Sequence, residues 1–145
     1  SINFNKEIYM NLYQLLESGF PKDKTACAIE THDGLYYSWD DLEKATSKIA
    51  NLLAHLNLPQ GSRVAVQVEK SPEALFLYLA TIRAGYVYLP LNTAYQSAEI
   101  QYFLENAEPA VVVCSPTENE RLVSDCGCLI TAVYTPDLYS LRTKS

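Results

Sequence analysis

Glycine is scarce in this chain of 145 residues: five in all, at positions 19, 34, 61, 85 and 127. Loops that wrap phosphates need glycine, because backbone N–H groups must approach the oxygens closely. No two of the five are spaced as G-x-G-x-x-G or G-x-x-x-x-G-K-[ST], so a self-contained dinucleotide or nucleoside triphosphate site is not expected. Basic runs are missing as well. Eleven Lys and Arg are scattered among seventeen Asp and Glu, a net charge of −6 that argues against nucleic acid as a partner. No apolar run approaches the roughly 18 residues a membrane helix needs. The opening Ser1-Ile2-Asn3-Phe4-Asn5-Lys6-Glu7 has no basic segment leading into an apolar one, so neither a membrane span nor a secretion signal is expected. Cysteine is limited to Cys27, Cys114, Cys126 and Cys128. The first two lie in apolar, strand-like runs and read as small buried hydrophobes. Cys126-Gly127-Cys128 is too close for an ordinary bridge and lacks the second pair or nearby His of a tetrahedral zinc site. No metal site is expected, and a reduced, cytoplasmic protein fits best. No acidic cluster stands at the strand ends to hold Mg²⁺ for phosphoacceptor work, which counts against a receiver-type signalling domain.

What remains is a globular composition, 48% hydrophobic and 19% charged, in a length that suits one domain. Apolar spacing at Ile8, Leu12 and Leu15 predicts an amphipathic helix from Phe4 to Leu16, ended by Gly19 and Pro21. Two short strands, Ala26 to Thr31 and Leu35 to Ser38, flank His32-Asp33-Gly34, whose Asp-Gly pair supplies a hairpin turn with His32 solvated at its tip. Ser38-Trp39-Asp40-Asp41 reads as a capping box that opens a helix running to about Asn57. Val64 to Val68 is a parallel-type strand, and Ser71-Pro72-Glu73 starts a helix that buries Leu75, Tyr78, Leu79 and Ile82.

The stretch from Thr81 to Tyr95 organises the rest. Gly85 fits a left-handed helix stop, Tyr86 to Leu89 a short strand covered on both faces, and Pro90 ends it. Ser97 to Ala107 predicts a helix with Ile100, Phe103 and Leu104 inward. Ala110 to Cys114 reads as a strand, Thr117-x-x-Glu120 as a further capping box, and Leu129 to Tyr134 as a last strand. The fold class is therefore α/β: a parallel sheet with flanking helices plus a small N-terminal β-hairpin.

Ligands of such sheets meet the loops at the carboxyl ends of the strands, here Glu69-Lys70-Ser71, Leu91-Asn92-Thr93 and Cys114-Ser115-Pro116-Thr117. Lys70 with the amides after Ser71 offers an anion site; a capped helix beside a solvated Lys accounts for the same residues. Lys70, Ser71, Asn92 and Thr93 are the candidate contacts of a channel wall. No catalytic or cofactor-binding residue stands out. The eleven tyrosines read mostly as core and rim.

Leu77-Tyr-Leu-Ala-Thr-Ile-Arg-Ala-Gly-Tyr-Val-Tyr-Leu-Pro-Leu-Asn-Thr-Ala-Tyr95 resembles the second core motif of the adenylate-forming acyl-CoA synthetases. Tyr37-Ser-Trp-Asp-Asp-Leu42 is similar to their first. Gly61-Ser-Arg-Val64, Glu69-Lys-Ser71, Glu99 to Phe103 and Ala107-Glu-Pro109 extend the likeness in order from about Asn11 to Tyr134, with wording nearest the malonyl-CoA synthetase branch. The resemblance implies residues 1–145 of the large adenylation domain's N-terminal part, with 135–145 starting a linker. It implies an acid–CoA ligase that uses ATP, Mg²⁺ and coenzyme A on malonate or a related small acid. The family's phosphate loop, nucleotide-binding acids and C-terminal lysine match nothing here, so this chain alone is expected to bind none of these and to be inactive. Ala94 stands in or beside the place where many relatives carry an Arg that meets coenzyme A, which puts such a contact in doubt. Two other readings predict different behaviour. A free-standing α/β binding module would hold a ligand unaided; a dimerising module would self-associate through exposed apolar surface.

Overall fold

The computed structural model describes residues 12–115, 117–118, 120 and 131–133. In chain order these form a helix α1 (12–18), strands β1 (Cys27–Glu30) and β2 (Tyr36–Ser38), and helix α2 (Trp39–Ala54). There follow β3 (Arg63–Gln67), α3 (Pro72–Arg83), β4 (Val87–Pro90), α4 (Ser97–Ala107), β5 (Val111–Cys114) and β6 (Thr131–Val133). The strand–helix–strand alternation gives a four-stranded sheet in the order β4-β3-β5-β6, all parallel, beside the separate antiparallel hairpin β1–β2.

Period-two alternation divides the sheet's two faces. Val64, Val66, Val111 and Val113 pack with Leu42, Ala45, Ile49 and Leu53 of α2 and with Phe76, Leu77 and Ala80 of α3. Ala65, Val112 and Cys114 face the other way, onto Ile100 and Leu104 of α4. The crossover from β3 to β4 thus lies on one face, and the return from β4 across β3 to β5 on the other. In sheet order the chain passes from β3 to β4 on one side and from β5 to β6 on the other, so the strand order reverses between β3 and β5, the arrangement at which open α/β sheets form a crevice.

Local chemistry sets the boundaries. Ser38 Oγ accepts the Asp41 N–H at 3.1 Å while Asp41 accepts the Ser38 N–H at 2.9 Å, so the expected capping box is present. Gly34 turns the hairpin at φ +88°. The C-terminus of α3 closes with two reversed bonds, Gly85 N–H to the Ile82 carbonyl at 3.0 Å and Tyr86 N–H to Thr81 at 3.0 Å. Gly85 at φ +86° permits that geometry.

Several expectations need correction. On α3 the buried face is Phe76, Leu77, Leu79, Ala80 and Ile82, whereas Leu75 and Tyr78 are 40% and 39% exposed. That helix is apolar nearly all round, so spacing alone does not choose which side meets α2 and the sheet. On α1, Tyr13 is buried rather than Leu12 or Leu15, because its ring packs beneath the Arg83 guanidinium, 5.0 Å from the ring centre. Ile8 lies outside the described residues. β4 is half-buried, being an edge strand, instead of covered on both faces. Cys27 is exposed, since its strand is irregular beside it and belongs to a hairpin outside the parallel sheet; Cys114 is buried as expected. The hydroxyl that caps the segment after β5 is Ser115, which accepts the Glu118 N–H at 3.2 Å, while Thr117 is already helical. Cys126, Cys128 and the linker expected at 135–145 lie outside the described residues.

Candidate functional site

The carboxyl ends of β3 and β4 gather all four of the residues singled out in the sequence. Ser71 is the N-cap of α3, its Oγ accepting the Ala74 N–H at 3.1 Å. That hydroxyl is already committed to the helix. Lys70 beside it is exposed, in keeping with a solvated cation next to a cap. Asn92 and Thr93 are also exposed and form the elbow between β4 and α4. Asn92 folds this elbow on itself: its Oδ1 accepts the Ala94 N–H at 2.9 Å and its carbonyl accepts the Tyr95 N–H at 3.1 Å. The ladder extends one step past the strand through Leu91 N–H to the Val66 carbonyl, 2.8 Å.

A residue the sequence reading passed over ties the two strand ends together. Gln67, the last residue of β3, is 4% exposed, and its Nε2 donates to the Asn92 carbonyl at 3.0 Å. The sequence shows only that an amide follows the apolar Val64-Ala65-Val66; its partner lies 25 residues on. Beyond the elbow a groove of about 510 Å³ is lined by Tyr95, Ala98, Glu99, Tyr102 and Phe103. It is mainly apolar and opens on the outer side of α4, where Tyr102 is 70% exposed.

Electrostatics restrict what this end of the sheet holds. A helix N-terminus attracts anions through its free N–H groups and the positive end of the helix dipole. Each of the three longer helices spends that potential internally. Asp40 and Asp41 occupy the first turn of α2, Glu73 that of α3 and Glu99 that of α4. Glu99 also accepts the Gln96 N–H at 3.1 Å. Hydrogen bonds from the Ser38 backbone and hydroxyl hold the Asp41 carboxyl below the usual carboxylate range, so it stays charged. A second groove, of about 430 Å³, is lined by Tyr36, Tyr37, Asp41, Lys44, Lys48 and Phe76, and Lys44 there pairs with Asp40 at 2.8 Å. Among the described residues no three His, Cys, Asp or Glu side chains come together in a way that would hold a metal ion, and no helix is long and apolar enough to cross a membrane. Among the described residues, the first turns of α2, α3 and α4 thus already carry carboxylates where an anion would otherwise sit.

The profile of a family described as AMP-binding enzyme matches residues 17–143. The crystal structure of ATP-bound MatB from Rhodopseudomonas palustris superposes with a TM-score of 0.81 at 39% identity, covering 94% of this chain and 28% of that one. A crotonobetaine/carnitine–CoA ligase of Salmonella typhi is 28% identical over 109 residues, 72% of this chain and 21% of the ligase. A hybrid PKS-NRPS synthetase, pydA, of an Acremonium species is 30% identical over 94 residues, 65% of this chain and 2% of that protein. The chain thus spans under a third of each of these relatives.

Proposed function

Because the chain belongs to the AMP-binding enzyme family, we propose that it is the N-terminal part of an ATP-dependent acid–CoA ligase acting on malonate or a related small acid. The observation that carries this reading is the 39% identity to MatB sustained over 94% of the chain. The likeness to a CoA ligase of Salmonella typhi supports the same reaction class. A carboxylate is a poor electrophile; joined to AMP from ATP, with release of pyrophosphate, it becomes an acyl-adenylate whose acyl group passes to the coenzyme A thiol.

The contribution of this chain is scaffold. Its parallel sheet holds the elbow of residues 91–95 at the mouth of the switch-point crevice, where Asn92 and Thr93 form one wall of the substrate or coenzyme A channel. Lys70 and Ser71 border the adjacent strand end. The acids in the first turns of α2, α3 and α4 keep phosphate groups away from those helix ends. Phosphate binding and Mg²⁺ coordination then fall to the remainder of the longer protein.

The test is product identity. The full-length parent is incubated with ATP, Mg²⁺, coenzyme A and a panel of small acids, and the acyl-CoA products are weighed by mass spectrometry. Malonyl-CoA, or the CoA ester of a close analogue, as the dominant product upholds the reading. Dominant carnitine-type or aminoacyl products would reassign the substrate, and no CoA ester from any acid would remove the ligase reading altogether.

A further inference from the structure

Gln67 is buried like a core residue but bonded like a hinge pin. Alternation along β3 turns it, with Ala65, toward the α4 face. Its register partner on β5 is Cys114, so it stands at the carboxyl end of the switch-point pair β3–β5. Nε2 donates to the Asn92 carbonyl, and Oε1 is buried with no hydrogen-bond partner among the described residues. An apolar side chain of the same length would fill this space without leaving an orphaned acceptor, and packing alone would select it. The hydrogen bond the amide makes among the described residues leads to the elbow. There the Asn92 carbonyl takes two donors, Tyr95 N–H from within the elbow and Gln67 Nε2 from the sheet.

We infer that Gln67 is a positioning residue: it fixes the elbow of residues 91–95 against the end of β3, so that Asn92, Thr93 and Ala94 present a single conformation to a ligand at the crevice. The amide is kept for that bond at the expense of stability, as happens where a site must hold a fixed shape. The identity of the ligand as a ligase substrate rests on the function proposed above; the mechanical role does not.

Two variants of the full-length parent test it, Gln67→Met and Gln67→Glu. Gln67→Met removes both the donor and the orphaned acceptor, and it is expected to keep or raise Tm. Hydrogen exchange of the peptide spanning residues 91–96 should quicken by about tenfold or more. The KM of one substrate among acid, ATP and coenzyme A should rise about fivefold or more, while the other two KM values and kcat stay near wild type. Gln67→Glu sets a carboxylate against the Asn92 carbonyl, so it should release the elbow equally and lower Tm as well. Lowered Tm in Gln67→Met with unchanged elbow exchange would reduce Gln67 to a packing residue and overturn the inference. Wild-type exchange and wild-type KM values in both variants would overturn it too. If the wild-type parent makes no CoA ester, the ligase reading fails, and the exchange comparison still decides the role of Gln67.

Discussion

Gly85 meets two demands at one position, and they separate by mutation. Its φ of +86° lies in the left-handed region, and a Cβ built on it would overlap the Gln60 side chain. Gly34 has the same sign of φ, +88°, with open space around it. Gly34→Ala is therefore expected to lose only the conformational share, about 1–2 kcal/mol, and Gly85→Ala more. Pairing Gly85→Ala with Gln60→Ala should recover the difference, as read from urea unfolding. At Asp41 the sign follows from its depressed carboxyl: a native value held below the unfolded one gives stability that is complete above the ordinary carboxylate range. That stability is lost as pH falls through the depressed value. Thermal melts in acid should show a steeper decline for wild type than for Asp41→Asn, which has no charge to lose; equal slopes would mean that the box adds nothing. The motifs Gly85 and Ser38–Asp41 were legible in the sequence because each is decided within four residues. Gln67 was not, because its partner Asn92 lies 25 residues away and only sheet order brings them together.

Elements show the same limit at larger separation. The capping Ser71, Pro72 and the stop at Gly85 define α3 from sequence, yet its buried side does not follow from spacing. Phe76 is 1% exposed and meets the Tyr37 ring edge-on, with centroids 5.4 Å apart, whereas Leu75 faces outward. Phe76→Ala should lose about 3–5 kcal/mol, and Leu75→Ala less than about 0.5 kcal/mol. The reverse ranking in denaturant would mean that α3 is rotated on its axis. β4 carries a comparable lesson. Its residues Val87 to Leu89 have the composition of a central strand, but sheet order leaves β4 at an edge, half-exposed. There Tyr88 packs edge-on against Tyr78 at 5.2 Å, and burial, with the Tyr78 charge second, pushes its phenol up. A raised phenol favours the native state below the unfolded tyrosine value and loses that advantage as pH rises through its own. Tyr88→Phe should match wild type at neutral pH and outlast it in alkaline melts.

For the whole molecule, large apolar side chains are left outside on several elements, the most exposed being Leu15 on α1 and Tyr102 on α4 at 70% each. The isolated chain is expected to self-associate through such surface, and a concentration-independent monomer in sedimentation would contradict that. Parallel order and helical flanks were legible in the repeated strand–helix alternation; reaction chemistry was not, because an α/β scaffold hosts many reactions. We propose that this chain supplies a wall and a framework, and that the rest of the longer protein holds the nucleotide. Pyrophosphate release from ATP, Mg²⁺ and malonate tests it most directly, with the 145-residue chain and its full-length parent assayed side by side. Release by the parent and none above background by the chain is the expected outcome; release by the chain alone would show that these residues hold the nucleotide unaided.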